Sequence, residues 1–309
     1  MPEKDRWIEI VISTPPQLVD ALSNFLAESG AKGVFQEEVL EDNRNVTDEP
    51  AETEELKAYF AANPTNEKKI TALQKYIDSL SEIFPDLKKP SVKTQLIGDA
   101  DWGEQWKKYF KPIRLAENIV IKPTWERYTP LHREIVIDID PGMAFGTGQH
   151  ASTRMCLEAM EDILLKDRKV PAWRVLDVGT GTGILAIAAA KLGAESVRGL
   201  DTDPRAVEIA RKNVAINGVE DRVRIVNTDV RKATGTFDFV VANLTAETLL
   251  KLKNHLVSLT GPGRYLIASG IIEQNAKKVE EAFAVTMSVR RVLRDKEWVC
   301  YVMKKGDDA

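Results

Sequence analysis

The sequence predicts an α/β protein of two domains, a large one built on a parallel sheet and a smaller α+β domain before it. The length of 309 residues exceeds the common size of one domain, roughly 100 to 200 residues. After about residue 116, apolar strand-like runs alternate with helical patterns, which is typical of a parallel sheet. We place the small domain at 1–98, a connecting segment at 99–115 and the large domain at 116–309.

The first hundred residues give the element order β-α-β-β-α-β. Ile8, Ile10 and Ile12 alternate with polar residues, as in a half-buried strand, whereas apolar residues four apart indicate the helices. An acidic loop, Glu41–Glu54, separates the second and third strands. This order is that of a ferredoxin-like, split βαβ domain. The expected elements are strand Trp7–Ile12, helix Gln17–Ser29, strands Val34–Glu38 and Leu56–Phe60, helix Glu67–Phe84 and strand Val92–Ile97.

An aromatic segment connects the domains. In Asp101–Phe110, Trp102, Trp106 and Phe110 are four residues apart, as on one face of a short helix. This spacing is more typical of packing than of a ligand cage. Two runs after it, Asn118–Lys122 and Glu134–Ile139, predict a pair of strands.

The large domain then alternates strands and helices. Two strands follow one another at its end, which predicts that the last strand is antiparallel to the others. The expected strands are Val175–Val178, Ser196–Leu200, Arg222–Asn227, Asp238–Ala242, Tyr265–Ser269, Thr286–Leu293 and Trp298–Met303. The expected helices are Ile184–Lys191, Arg205–Asn217, Leu249–Leu259 and Gln274–Phe283, with a further helix before the first strand.

The turn after the first of these strands has the chemistry of a cofactor site. Glycines at 179, 181 and 183 let the backbone approach a ligand closely, and the helix that follows offers unpaired N–H groups. A dinucleotide fingerprint needs its third glycine at position 184, where Ile184 stands. Asp201 ends the next strand, where a carboxylate accepts both hydroxyls of a ribose. The alternative is a tight turn before a packed helix.

A second glycine-rich segment, Asp140–Thr153, precedes the helix that leads into the cofactor strand. It places three glycines in seven residues beside Phe145, Thr147 and His150. Loops of this composition commonly shape or close a site.

These motifs resemble one family. The Val175–Leu185 run resembles motif I of the class I S-adenosylmethionine-dependent methyltransferases. Together with Asp140–His150 and Val-Ala-Asn243, it is similar to the PrmA-type enzymes, which methylate the bacterial ribosomal protein L11. The resemblance implies a seven-stranded, Rossmann-like class I domain, the cofactor S-adenosylmethionine and trimethylation of amino groups. It also implies that the small domain recognises the substrate.

The resemblance also assigns the site by position. Asp201 would hold the ribose, Asn243 would orient the amine beside the methyl group, and the loop would cover the methionine end. His150 is the one candidate base, although a structural role in the loop is favoured. The residues expected to bind the cofactor are Phe145, Gly146, Thr153, Gly179, Gly181, Gly183, Asp201 and Asn243. Those expected to contribute to catalysis are Asn243, Thr147 and His150.

The charge is unevenly distributed. Residues 1–100 hold 11 Lys and Arg against 19 Asp and Glu, a net charge of −8, whereas the remaining residues have a net charge of +4. An acidic domain suggests a basic partner, here a ribosomal protein, and argues against direct nucleic-acid readout, which needs clustered Lys and Arg. A solvated acidic loop is the alternative explanation.

Other totals limit the class of protein. No apolar run approaches the ~18 residues of a membrane span, and the start lacks the apolar stretch of a signal peptide. Cys156 and Cys300 lie far apart, which indicates a reducing compartment without a disulfide framework. No Cys/His cluster has metal-ligand spacing. We therefore expect a cytoplasmic enzyme that binds no metal. We also expect a monomer, although none of these totals bears on the oligomeric state.

Three other functions stay open at this point. A class I methyltransferase acting on another protein, RNA or a small molecule would have the same cofactor half. A binding protein that kept the pocket and lost catalysis is disfavoured by the intact loop and Asn243. A dehydrogenase is disfavoured by Ile184.

Overall fold

The computed structural model describes residues 6–31, 33–37, 53–62, 66–98, 111–139, 150–166 and 172–307. The chain divides into two compact units, Met1–Tyr109 and Phe110–Ala309. The aromatic segment 101–110, most of the predicted acidic loop (residues 41–52) and most of the glycine-rich loop (residues 140–149) lie outside the described residues.

The first unit is an antiparallel sheet with two helices. Its order is β2-β3-β1-β4, with β1 in the centre between β3 and β4. Ile10, Ile12, Leu56, Leu73 and Ile77 are buried in its core. The β-α-β-β-α-β prediction is confirmed, except that the first helix begins as a 3-10 turn at Pro16–Leu18. The elements are β1 (Arg6–Thr14), α1 (Val19–Glu28), β2 (Gly33–Glu37), β3 (Glu54–Ala61), α2 (Asn66–Ile83) and β4 (Ser91–Gly98).

The second unit begins with a small sheet of three strands: β5 (Ile113–Arg114), β6 (Ile119–Lys122) and β7 (Ile135–Asp138). β6 and β7 form the predicted pair and are parallel, whereas β5 is antiparallel to β6. The sequence analysis missed β5, because two residues are too few to show a period. Residues 111–115, which we assigned to the connecting segment, therefore include a strand of the second unit.

A seven-stranded sheet forms the rest of this unit. Its strands are β8 (Arg174–Val178), β9 (Ser196–Asp201), β10 (Val223–Asn227), β11 (Phe237–Asn243), β12 (Thr260–Ile272), β13 (Met287–Asp295) and β14 (Trp298–Lys305). The helices are α3 (Ala151–Lys166), α4 (Ile184–Lys191), α5 (Pro204–Ile216), α6 (Ala246–Leu259) and α7 (Glu273–Phe283).

The strand order is β10-β9-β8-β11-β12-β14-β13. β14 is antiparallel to both of its neighbours, as predicted from the two consecutive strands at the end. This mostly parallel sheet with its antiparallel strand confirms the predicted class I methyltransferase fold.

Both faces of the sheet are covered. Alternate residues of β11 point to opposite sides: Phe239 and Val241 pack with α3, α4 and α5, whereas Val240 and Ala242 pack with α6 and α7. All four are buried, which explains why the parallel strands read as continuous apolar runs. Among the residues that the structure describes, no helix is long and apolar enough to cross a membrane.

Candidate active site

The turn between β8 and α4 takes the left-handed conformation that its glycines predict. Gly179, Gly181 and Gly183 have φ of 72°, 54° and 82°. A Cβ atom on Gly179 would lie 2.6 Å from Cδ2 of Leu244, which follows β11. Only glycine combines this backbone with so close an approach.

Asp201 lies beside this turn at the end of β9. Its Oδ2 accepts the Gly181 N–H at 3.0 Å, and its Oδ1 accepts the Asp203 N–H at 3.0 Å. A carboxylate has about four acceptor positions, so two remain for the hydroxyls of a ribose. Asp201, the residue predicted to bind the ribose, therefore also holds the backbone of the turn in place.

Asp177 is a buried acid beneath the same turn, to which the sequence analysis gave no role. The Thr180 hydroxyl donates to its Oδ2 at 2.6 Å, and the residue is 1% exposed. Burial raises the pKa of the Asp177 carboxyl to about 7, against the lowering effect of the Thr180 hydrogen bond. The signal was present in the sequence as a charged residue inside an apolar strand.

Asn243 ends β11, next to the turn, and meets the start of α3. Its Nδ2 donates to Thr153 Oγ1 at 3.3 Å, across 90 residues of sequence. Thr153 is buried, at 1% exposure. The structure thus brings two of the predicted site residues into contact.

His150 stands immediately before α3 and caps it. Its Nδ1 accepts the Ser152 N–H at 3.2 Å and lies 2.6 Å from Ser152 Oγ, while its carbonyl accepts the N–H groups of Thr153 and Arg154. Its ring packs edge-on against Trp298 with the centroids 4.6 Å apart. An accepting Nδ1 carries no proton, so this network assigns the Nε2–H tautomer.

β12 supplies two residues that the sequence analysis missed. The carbonyl of Ser269 accepts the Leu244 N–H at 3.0 Å, and its hydroxyl donates to the Ser152 carbonyl at 3.1 Å. Gly270 has a φ of 80°, and a Cβ there would lie 2.7 Å from the Leu244 carbonyl oxygen and 2.9 Å from Asn243 Oδ1. Neither residue belongs to a motif that spacing alone reveals.

The remaining predicted site residues, Phe145, Gly146 and Thr147, lie outside the described part of the chain. Within that part, no group of three or more His, Cys, Asp or Glu side chains is arranged to hold a metal ion.

A family model described as ribosomal protein L11 methyltransferase (PrmA) matches residues 6–306. The chain belongs to this family. A ribosomal protein L11 methyltransferase of Pelobacter propionicus is 39% identical over 306 residues, which cover 97% of this chain and 98% of that protein. One from Bacillus velezensis is 38% identical over 315 residues and covers 97% of this chain and 100% of that protein.

A solved structure supports the same membership in the L11 methyltransferase family. The ribosomal protein L11 methylase of Lactobacillus delbrueckii subsp. bulgaricus is 34% identical, with a TM-score of 0.57. The match covers 64% of this chain and all of that chain. The resemblance inferred from the motifs is confirmed.

Proposed function

We propose that this protein methylates amino groups of ribosomal protein L11 with S-adenosylmethionine as the methyl donor. The observation that carries the proposal is that three segments meet at the carboxyl ends of β8 and β11: the glycine turn, the start of α3 and the end of β11. Leu244 packs on Gly179, and Asn243 bonds to Thr153. The turn proposed to bind the cofactor therefore lies next to Asn243, the residue proposed to orient the amine. Membership in the L11 methyltransferase family supports the same reaction and substrate.

The residues present fit the donor. The glycine turn has the left-handed backbone of a cofactor-binding loop, and the remaining acceptor positions of Asp201 suit the ribose hydroxyls. Thr153 stands at the start of α3, and Phe145, Gly146 and Thr147 are proposed to cover the methionine end. When bound, S-adenosylmethionine supplies a methyl group on a positively charged sulfur.

The acceptor is proposed to be a lysine or N-terminal amine, methylated up to three times. Only the neutral amine has a lone pair, and free lysine has a pKa of ~10.4 against ~7.7–8.0 for an α-amine. Desolvation favours the neutral form, as does a neighbouring positive charge. In the first two transfers, the Asn243 side-chain carbonyl accepts an amine N–H and directs the lone pair, so that alignment provides most of the rate. The neutral dimethylated amine of a third transfer has no N–H and is aligned by packing alone.

His150 is proposed to act in structure and not as the base. Its Nδ1 accepts the Ser152 N–H, and a proton on that nitrogen would break the cap of α3. The ammonium group then releases its proton to solvent as it enters the site, where desolvation favours the neutral amine, and no side chain accepts the proton.

The acidic small domain is proposed to bind L11 by charge complementarity, without nucleic-acid readout. The enzyme is proposed to be monomeric and cytoplasmic. The net charge of −8 in residues 1–100 supports attraction of a basic protein.

The test is the intact mass of purified L11 before and after incubation with enzyme and S-adenosylmethionine. We expect mass increases in steps of one methyl group. Labelled S-adenosylmethionine offered with L11, total RNA and lysate separates the acceptors. Label in RNA or in another protein, with none in L11, would contradict the proposal.

A further inference from the structure

Ser269 is a buried hydroxyl that joins three parts of the candidate active site. It is 0% exposed and lies on β12 directly beside Asn243 in the parallel ladder of β11 and β12. Its backbone carbonyl accepts the Leu244 N–H, and its Oγ donates to the Ser152 carbonyl in the first turn of α3.

These contacts form a closed ring. The Ser269 hydroxyl donates to the Ser152 carbonyl, and the residue after Ser152, Thr153, accepts a hydrogen bond from the Asn243 side chain. Asn243 is in turn the neighbour of Ser269 in the sheet. Ser152 is 1% exposed and Ser269 is 0% exposed, so water does not compete for the bond between them, whereas Asn243 is half-buried. A shift of the first turn of α3 would therefore move Thr153 away from Asn243.

In the structure, the two ends of the Asn243 amide face different neighbours. Because Nδ2 donates to Thr153 Oγ1, the other end of the amide, Oδ1, faces the space beside Gly270. An amide in this orientation offers an acceptor to an amine N–H, whereas the flipped amide would offer a donor.

We propose that Ser269 is a positioning residue for methyl transfer, which fixes the first turn of α3 so that Thr153 stays in contact with Asn243 and limits the movement of its side chain beside the acceptor amine. The inference rests on the proposed function, since it assumes that Asn243 orients the amine.

The test compares Ser269→Ala with a matched control on the same strand. Thr260, at the other end of β12, is also 0% exposed, and its Oγ1 donates to the Leu256 carbonyl at 2.8 Å. Thr260→Val therefore removes the same kind of buried bond far from the site. We expect similar falls in Tm for both variants, since each loses one hydroxyl-to-carbonyl bond.

The kinetics are expected to separate the two variants. Ser269→Ala should lower kcat about five- to tenfold, the effect of one lost hydrogen bond on alignment. Its KM for L11 and its Kd for S-adenosylmethionine should stay within about twofold of wild type. Thr260→Val should keep the wild-type kcat. If Ser269→Ala fails to fold, Ser269→Cys, which keeps the volume with a weak donor, is expected to lower kcat in the same way.

A double variant shows whether the effect passes through Asn243. In an Asn243→Ala background, Ser269→Ala should have no further effect on the residual turnover. A wild-type kcat for Ser269→Ala, or an equal loss in both backgrounds, would overturn the inference. Wild-type turnover of Asn243→Ala would also overturn the inference, whereas the proposed function fails separately, when the wild-type enzyme adds no methyl group to L11.

Discussion

Asp177 makes the stability of this protein depend on pH. Its folded-state pKa of about 7 lies above the unfolded value of ~3.9, so the folded state binds the extra proton. The stability that this proton provides is complete below the unfolded pKa and is lost as the pH rises through 7.

We expect wild type to lose about 2 kcal/mol of unfolding free energy between pH 5.5 and pH 8 relative to Asp177→Asn, which has no proton to release. Urea denaturation of both proteins at the two pH values measures this. Parallel pH profiles would show that Asp177 titrates normally.

Asn243 is predicted to act on turnover and not on cofactor affinity. Asn243→Ala removes the carbonyl that orients the amine, so we expect kcat to fall about 100-fold. The Kd for S-adenosylmethionine should change little. Single-turnover assays measure the rate of methyl transfer, and calorimetry measures the Kd for S-adenosylmethionine. If that Kd rose 100-fold while the rate of methyl transfer stayed at the wild-type value, Asn243 would act in cofactor binding alone.

The Asp201 carboxylate is predicted to act on the affinity for S-adenosylmethionine, in contrast to Asn243, which is predicted to act on turnover. Asp201→Ala removes the proposed ribose acceptor and one partner of the Gly181 N–H. We expect the Kd for S-adenosylmethionine to rise about 10- to 100-fold, the effect of hydrogen bonds to a charged group. An unchanged Kd in calorimetry rejects the ribose assignment.

At the scale of elements, the glycine turn is where backbone conformation and packing coincide. Gly179→Ala would strain a residue with φ of 72° and place a methyl group against Leu244. Gly235→Ala is the matched control, since Gly235 has φ of 92° and no atom within 4 Å of a Cβ.

Both variants should lose stability by a similar amount from strain, about 1–2 kcal/mol. We expect only Gly179→Ala to weaken binding of S-adenosylmethionine as well. Equal cofactor affinities in the two variants would mean that the turn tolerates a side chain.

Periodicity predicted most of the helices and strands, and where the predicted bounds differ from the structure the difference has a local cause. α6 begins at Ala246 and not at Leu249, because the Thr245 hydroxyl caps it by accepting the Thr248 N–H at 3.4 Å. β12 extends from Thr260 to Ile272, well beyond the predicted Tyr265–Ser269, because pairing with β11 and β14 continues past its glycines.

For the whole molecule, the charge imbalance between residues 1–100 and the rest of the chain predicts a salt-dependent interaction with L11. Exposed charges are screened over ~8 Å at physiological ionic strength, so higher salt should raise the KM for L11. The Kd for S-adenosylmethionine should change less.

A variant with Glu41, Asp42, Asp48, Glu49 and Glu52 replaced by their amides is expected to show a weaker dependence of KM on salt. Amide replacements at Glu208, Glu220 and Asp221 in the second unit serve as the control. The same salt dependence in the acidic-loop variant and wild type would separate that loop from substrate binding.

The sequence by itself determined the two element patterns and the glycine turn, because these depend on local periodicity and on motifs of neighbouring residues. The roles of Asp201 and Asn243 stay predictions, drawn from their places at strand ends and from the resemblance to the family. Only the tertiary structure decided that Thr153 contacts Asn243, that His150 caps α3, and that Ser269 links the first turn of α3 to Asn243. These contacts link residues 90 or more positions apart, or depend on how a side chain turns, and strand pairing and helix packing bring such residues together without any spacing in the sequence.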